Sequence, residues 1–167
     1  MAFTAYDASV PVFQQMLKNL SALLVKAEEH AAEKGVDINA LLDARLAPDM
    51  FPFSKQIQIA TDHAKGACAR LASVEIPRYE DTEKTVAELQ ARLQKTLDFI
   101  ATFKPEQFAG AEARDIRLVF PWATYDFTGQ RYLTYWALPN FFFHVTTAYN
   151  ILRHQGVPVG KADFLGQ

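Results

Sequence analysis

Apolar residues recur every three or four positions in four separate stretches of this chain, and a glycine or proline closes or interrupts the chain beyond each. That period turns one face of each stretch toward a core and the other toward water, as amphipathic helices require. In the first stretch, Val12, Met16, Leu20, Leu23, Leu24, Ala27 and Ala31 predict a helix from Val10 to Lys34. Ser9 is placed to cap it, Pro11 suits its first turn and Gly35 stops it. Asp37 then heads a short helix, Ile38 to Arg45, and Pro48 and Pro52 punctuate the loop that follows. The second long helix, Ser54 to Ser73, carries a stripe of Ile57, Ala60, Ala64, Ala67, Cys68 and Leu71. Its small side chains let a neighbouring helix approach closely. The third, capped by Asp81 or Thr82, runs to Phe103 on Val86, Leu89, Leu93, Leu97 and Ile100. The last starts near Pro139 or Asn140 and ends at Gly156, with Phe141, Val145, Ala148, Ile151 and Leu152 on its core side.

The stretch before the last helix has a different pattern. Arg114–Phe120 alternates charged and apolar residues, and Arg131–Trp136 is aromatic and β-branched. With Gly129 supplying a turn between them, these two runs predict a β-hairpin or a long hairpin-like loop, in which Pro121 marks an edge or an interruption. The expected fold is mainly all-α: a four-helix bundle with crossover connections and a β-hairpin inserted before its last helix. With 167 residues, half of them apolar, the chain suits a single domain over residues 1–167.

Charge narrows the partners. The net charge of −2 leaves no basic surplus to neutralise phosphates, so nucleic acid is excluded as a main partner. No run of eighteen apolar residues is present and the first residues lack a basic leader, so no membrane association and a cytoplasmic location are expected. The one cysteine, Cys68, cannot form an internal disulfide and sits where core packing needs a small residue.

Four histidines remain to be assigned. His30 lies at the edge of the first helix among charged residues, and His154 occupies the last turn before Gly156, where its cation complements the helix dipole. His63 aligns with Ala60 and Ala67, and His144 with Phe141, Ala148 and Ile151, so both point into or near the bundle. Facing helices of bundles assemble metal sites, and imidazole suits divalent zinc or nickel. A catalytic zinc site takes about three protein ligands. Asp62, Asp126 and Tyr149 are the candidates for the third, against the alternative that both histidines are hydrogen-bonded core residues.

Aromatic residues crowd the same end of the chain. Trp122 and Tyr125, with Asp126 and Tyr149, are candidates to line a pocket for a small-molecule ligand. Phe141, Phe142 and Phe143 cannot all face one core, because helical side chains fan around the axis. At least one must meet the hairpin or another subunit, and a homodimer is expected.

The order of these features resembles the DinB/YfiT-like superfamily: four helices, a histidine on the second, a long excursion, then a histidine early in the fourth. The opening Tyr6–Phe13 and the ending His144, Ala148-Tyr149, Leu152-Arg153-His154, Gly156-Val157, Gly160-Lys161 and Asp163-Phe164 resemble a bacterial family of unknown function within it. The resemblance spans essentially the whole chain. It implies a four-helix bundle, often dimeric, and in many members a divalent metal held by three histidines. His63 matches the first of these and His144 the second. The third position, four residues on, is Ala148, which cannot ligate. The resemblance therefore implies a degenerate metal site and a protein that binds a small ligand or a partner near the bundle pocket. The alternative is a divalent-metal-dependent hydrolase or thiol transferase using His63 and His144.

Overall fold

A computed structural model describes residues 3–167. Its long helices are α1 (Val10–Lys34), α3 (Phe53–Ala72), α4 (Val86–Ala101) and α6 (Leu138–His154), with short helices α2 (Ile38–Leu42), α5 (Gly129–Tyr132) and α7 (Lys161–Leu165). The four long helices form the bundle, with α3 packed most extensively on α6 and α4, and α1 on α4. The core runs through the predicted stripes: Leu20, Leu24, Ile57, Ala64, Leu89, Leu93, Val145 and Ile151 are all fully buried. The small residues of α3 are what bring it close to α6, since Ala60, Ala64 and Ala67 have no accessible surface.

Local chemistry moves several boundaries. Ser9 makes no cap; its hydroxyl donates back to the carbonyls of Ala5 and Tyr6. The short helix α2 ends at Leu42 rather than Arg45. The third long helix starts at Val86, not after Asp81 or Thr82. Thr85 caps it, its hydroxyl accepting from the Glu88 amide while the Glu88 carboxylate accepts from the Thr85 amide. Asp81 is instead engaged by Lys55 and Arg92.

The larger correction concerns the hairpin. Its strands are β1 (Asp115–Phe120) and β2 (Ala123–Thr128), antiparallel, with Phe120 opposite Ala123, so Pro121 and Trp122 form a two-residue turn. Arg131–Trp136, expected as the second strand, is helical. Thr128 caps this segment by accepting from the Arg131 amide, and Gly129 starts it. Gly129 is not there for a turn. A Cβ at that position would overlap the backbone carbonyl of Ala111, so only glycine lets the helix start so close to the preceding loop.

From Gly129 the chain stays helical into α6 through a π turn at Leu133–Ala137. The widened turn sits just before Pro139, which has no amide hydrogen and whose ring would crowd the carbonyl four residues back. The Asn140 side-chain amide donates to the Trp136 carbonyl at 2.7 Å within this disturbed stretch. The last helix is thus continuous with α5 and longer than its apolar stripe suggests.

The phenylalanine run fans as geometry demands. Phe141 is fully buried, edge-on to Phe13 with centroids 4.8 Å apart, while Phe143 remains 55% exposed. The tail folds back as α7 onto α1, with Asp163 paired to Lys26 and the Asn19 amide donating to the Phe164 carbonyl. Among the described residues, no helix is long and apolar enough to cross a membrane.

Candidate functional site at the α3–α6 seam

Helix α3 carries Gln56, His63 and Arg70 at intervals of seven residues, two helical turns, so the three lie in one row along its face. Helix α6 presents His144 to this row. The His63 and His144 rings stack with centroids 5.8 Å apart and planes 16° from parallel. His144 is buried; His63 is partly so.

Gln56 fixes the chemistry of His144. Its side-chain nitrogen donates to the Phe51 carbonyl at 3.0 Å, which turns its oxygen toward the imidazole. That oxygen can only accept, so His144 donates from Nδ1 across 2.7 Å and keeps its Nε2 lone pair free. Burial pushes the His144 pKa down to about 4. His63 is likewise held at about 4, first by burial, then by the charges of His144 and Arg70. Both rings are therefore neutral near pH 7. No buried side-chain nitrogen or oxygen among the described residues lacks a partner, and His63 forms no hydrogen bond with another described residue, so its ring nitrogens open on solvent.

A cleft of about 170 Å3 opens beside His63, walled by Arg70, Leu118, Phe120, Tyr132 and Trp136, with Asp62 at its rim. The π turn and the hairpin supply the aromatic wall: Phe120, Tyr125 and Phe127 pack on Trp136 at centroid distances of 6.0, 4.9 and 5.8 Å. Arg70 donates to the Tyr132 hydroxyl at 3.1 Å.

The sequence-predicted residues divide accordingly. His63 and His144 come together. Tyr125 supports the cleft from behind through Trp136, without lining it. Trp122 stacks on Phe120 at 5.1 Å at the hairpin tip and is 76% exposed. Asp126 lies on the outer face of the hairpin, in a two-contact ion pair with its cross-strand neighbour Arg117, so it does not descend toward the histidines. Tyr149 packs edge-on against Phe164 of α7, with centroids 5.8 Å apart. Asp62 is engaged by Arg92 and Lys65. Gln56, Arg70, Tyr132 and Trp136 are site residues that the apolar stripes pass over. The signal for the first two was the seven-residue spacing through His63.

Two imidazoles sharing a tetrahedral ion place their centroids roughly 5 Å apart, given zinc–nitrogen distances of about 2 Å. The pair is close to that spacing. The rest of a donor set is missing: Ala148 is fully buried at the i+4 position from His144, and no cluster of three or more His, Cys, Asp or Glu side chains occurs among the described residues. The donor set among the described residues falls short of the three ligands that hold a divalent metal firmly. Cys68 offers no substitute, because it is fully buried and burial pushes its thiol far up.

No curated protein matches this chain. The profile of a domain of unknown function, DUF1993, matches residues 5–165. Among solved structures, the crystal structure of a DinB family member protein from Shewanella denitrificans is similar over 97% of this chain and 92% of that one, at 44% identity and a TM-score of 0.90. The chain belongs to the DUF1993 family, and its fold is DinB-like.

Proposed function

We propose that this protein, acting as a single domain, binds a small ligand in the cleft beside His63, on a scaffold whose metal site is degenerate. The observation that carries this reading is the cleft itself: apolar and aromatic walls with a few convergent polar groups, the lining chemistry of a small-molecule site in a cleft of only about 170 Å3. Ala148 supports the second half of the reading, since a buried alanine replaces a donor where the resemblance expects one.

One observation favours a second reading, a divalent-metal-dependent hydrolase or thiol transferase using His63 and His144. The Gln56 contact is of the kind that orients a metal-ligating histidine, holding one ring nitrogen so that the other is free. Zinc or nickel bound there would act as a Lewis acid on a ligand in the cleft. The chain's own part would be to keep both imidazoles neutral and to exclude water with Phe120 and Trp136.

Elemental analysis and zinc and nickel titrations of untagged protein separate the two. The first reading expects no stoichiometric metal after purification and dissociation constants weaker than about 1 μM. A stoichiometric ion lost together with His63→Ala would overturn the first and leave the second standing. A homodimer in the cytoplasm belongs to the same proposal. Exposed Val119, Trp122 and Tyr135 support the dimer, and light scattering of the eluted peak tests it.

A further inference from the structure

We infer that the ligand of this cleft is a small planar carboxylate, its acid group received by Arg70 and its body by the aromatic walls. The inference rests on the reading that the cleft takes a ligand, and adds its chemical class.

Arg70 makes no ion pair with any described carboxylate; its one side-chain hydrogen bond goes to the Tyr132 hydroxyl. Asp62, the acid at the rim, is already engaged by Arg92 at 2.9 Å and by Lys65, so it does not neutralise Arg70. Arg70 thus keeps its Nε and Nη2 donors free in a planar fork, which matches the two oxygens of a carboxylate. Tyr132 adds a second donor. Its hydroxyl accepts from Arg70, has no acceptor for its own hydrogen among the described residues, and stays protonated because burial raises its pKa.

Gly66, four residues before Arg70 in the middle of α3, is buried, and glycine is the poorest interior helix former after proline. A Cβ at Gly66 would lie 2.7 Å from a guanidinium nitrogen of Arg70. An alanine there would make the end of the Arg70 side chain shift, a small movement for a flexible chain. Phe120 and Trp136 add aromatic faces to the lining, suited to a flat apolar body. The cleft volume of about 170 Å3 restricts the occupant to one small ring with its acid group.

The test uses benzoate as the acid and benzamide as its neutral isostere. Each is titrated into metal-free, 15N-labelled protein while the His63 imidazole and Trp136 indole resonances are followed. Benzoate is expected to shift both saturably, and benzamide to bind at least about tenfold more weakly. Arg70→Met should weaken benzoate by about tenfold or more, and Gly66→Ala by a smaller factor through displacement of the guanidinium. Gly66→Ala should do so with a Tm no lower than the parent's, which separates loss of the seat from loss of the fold. Equal binding of acid and amide, or benzoate binding unchanged in both variants, overturns the inference. If neutral aromatics saturate at His63 and benzoate does not at about 10 mM, the carboxylate class falls while the ligand reading stands. If none of these compounds moves His63, both fall.

Discussion

Two arginines, one on α3 and one on α4, serve opposite purposes. Arg92, reaching α3 from α4, has a side chain only 1% exposed and every donor engaged. It donates to the Thr61 hydroxyl at 2.7 Å, to the carbonyls of Gln58 and Glu80, and to the carboxylates of Asp62, Asp81 and Glu83. The Tyr79 ring lies among Arg92, Lys65 and Lys95, with cation–centroid distances of 5.3, 4.3 and 4.3 Å. That network ties the segment between α3 and α4 onto both helices. Arg70, eight residues from Asp62 on the same helix, has one hydrogen bond and an open cleft in front of it. A saturated cation holds a fold together, whereas an unsaturated one beside a cavity is available to a ligand.

The contrast predicts unequal costs. Replacing Arg92 with Met leaves three carboxylates around an empty position, and should cost about 3 kcal/mol in chemical denaturation, with faster proteolysis within residues 74–85. A cost under 1 kcal/mol would mean the network is loose and the comparison is wrong.

Acid should come next. Both histidines have folded pKa values near 4, below the ordinary 6.5, so the unfolded chain binds more protons between those values. Stability is therefore full above about pH 6.5 and falls as pH drops toward 4. Denaturation midpoints measured across that window should decline, and a His63→Gln, His144→Gln variant should decline less. A parent profile that is flat from pH 7 to 4 would place the rings in water.

The smallest effect is expected at Arg70. Arg70→Met keeps the apolar stem and removes one hydrogen bond, so stability should change by about 1 kcal/mol or less while ligand affinity changes most. A loss matching that of Arg92→Met would make Arg70 a structural residue too.

Much of this architecture was legible in the sequence because apolar period 3.6 is set by burial, and burial dominates the bundle. Val10–Lys34 and the stripes of α3, α4 and α6 follow from it directly. The hairpin was legible in kind and misplaced in register, because Arg131–Trp136 has strand-forming side chains. Its helix is enforced by the Thr128 cap and by the tight contact of Gly129 with Ala111, a residue eighteen positions earlier. His63 and His144 could be paired from their faces alone. Gln56 and Arg70 could not be recognised as readily, since a polar residue flanking an apolar stripe usually meets water. Only the neighbouring helix and hairpin turn that flank into a site. Asp126 shows the reverse: it is near the site in sequence, and the cross-strand ion pair with Arg117 keeps it on the outer face.

Ligand binding is proposed for the Arg70 cleft of α3. A fragment screen of the metal-free protein, with acids, amines and neutral aromatics read by backbone and side-chain 15N shifts, tests it against the alternative on the same molecule. That alternative is a larger groove, about 550 Å3, beside Tyr79, Arg92 and Lys95. Saturable shifts are expected to gather on His63, Gly66, Tyr132 and Trp136. Shifts gathered instead around Tyr79, Ala91 and Lys95, with His63 unmoved, would contradict it.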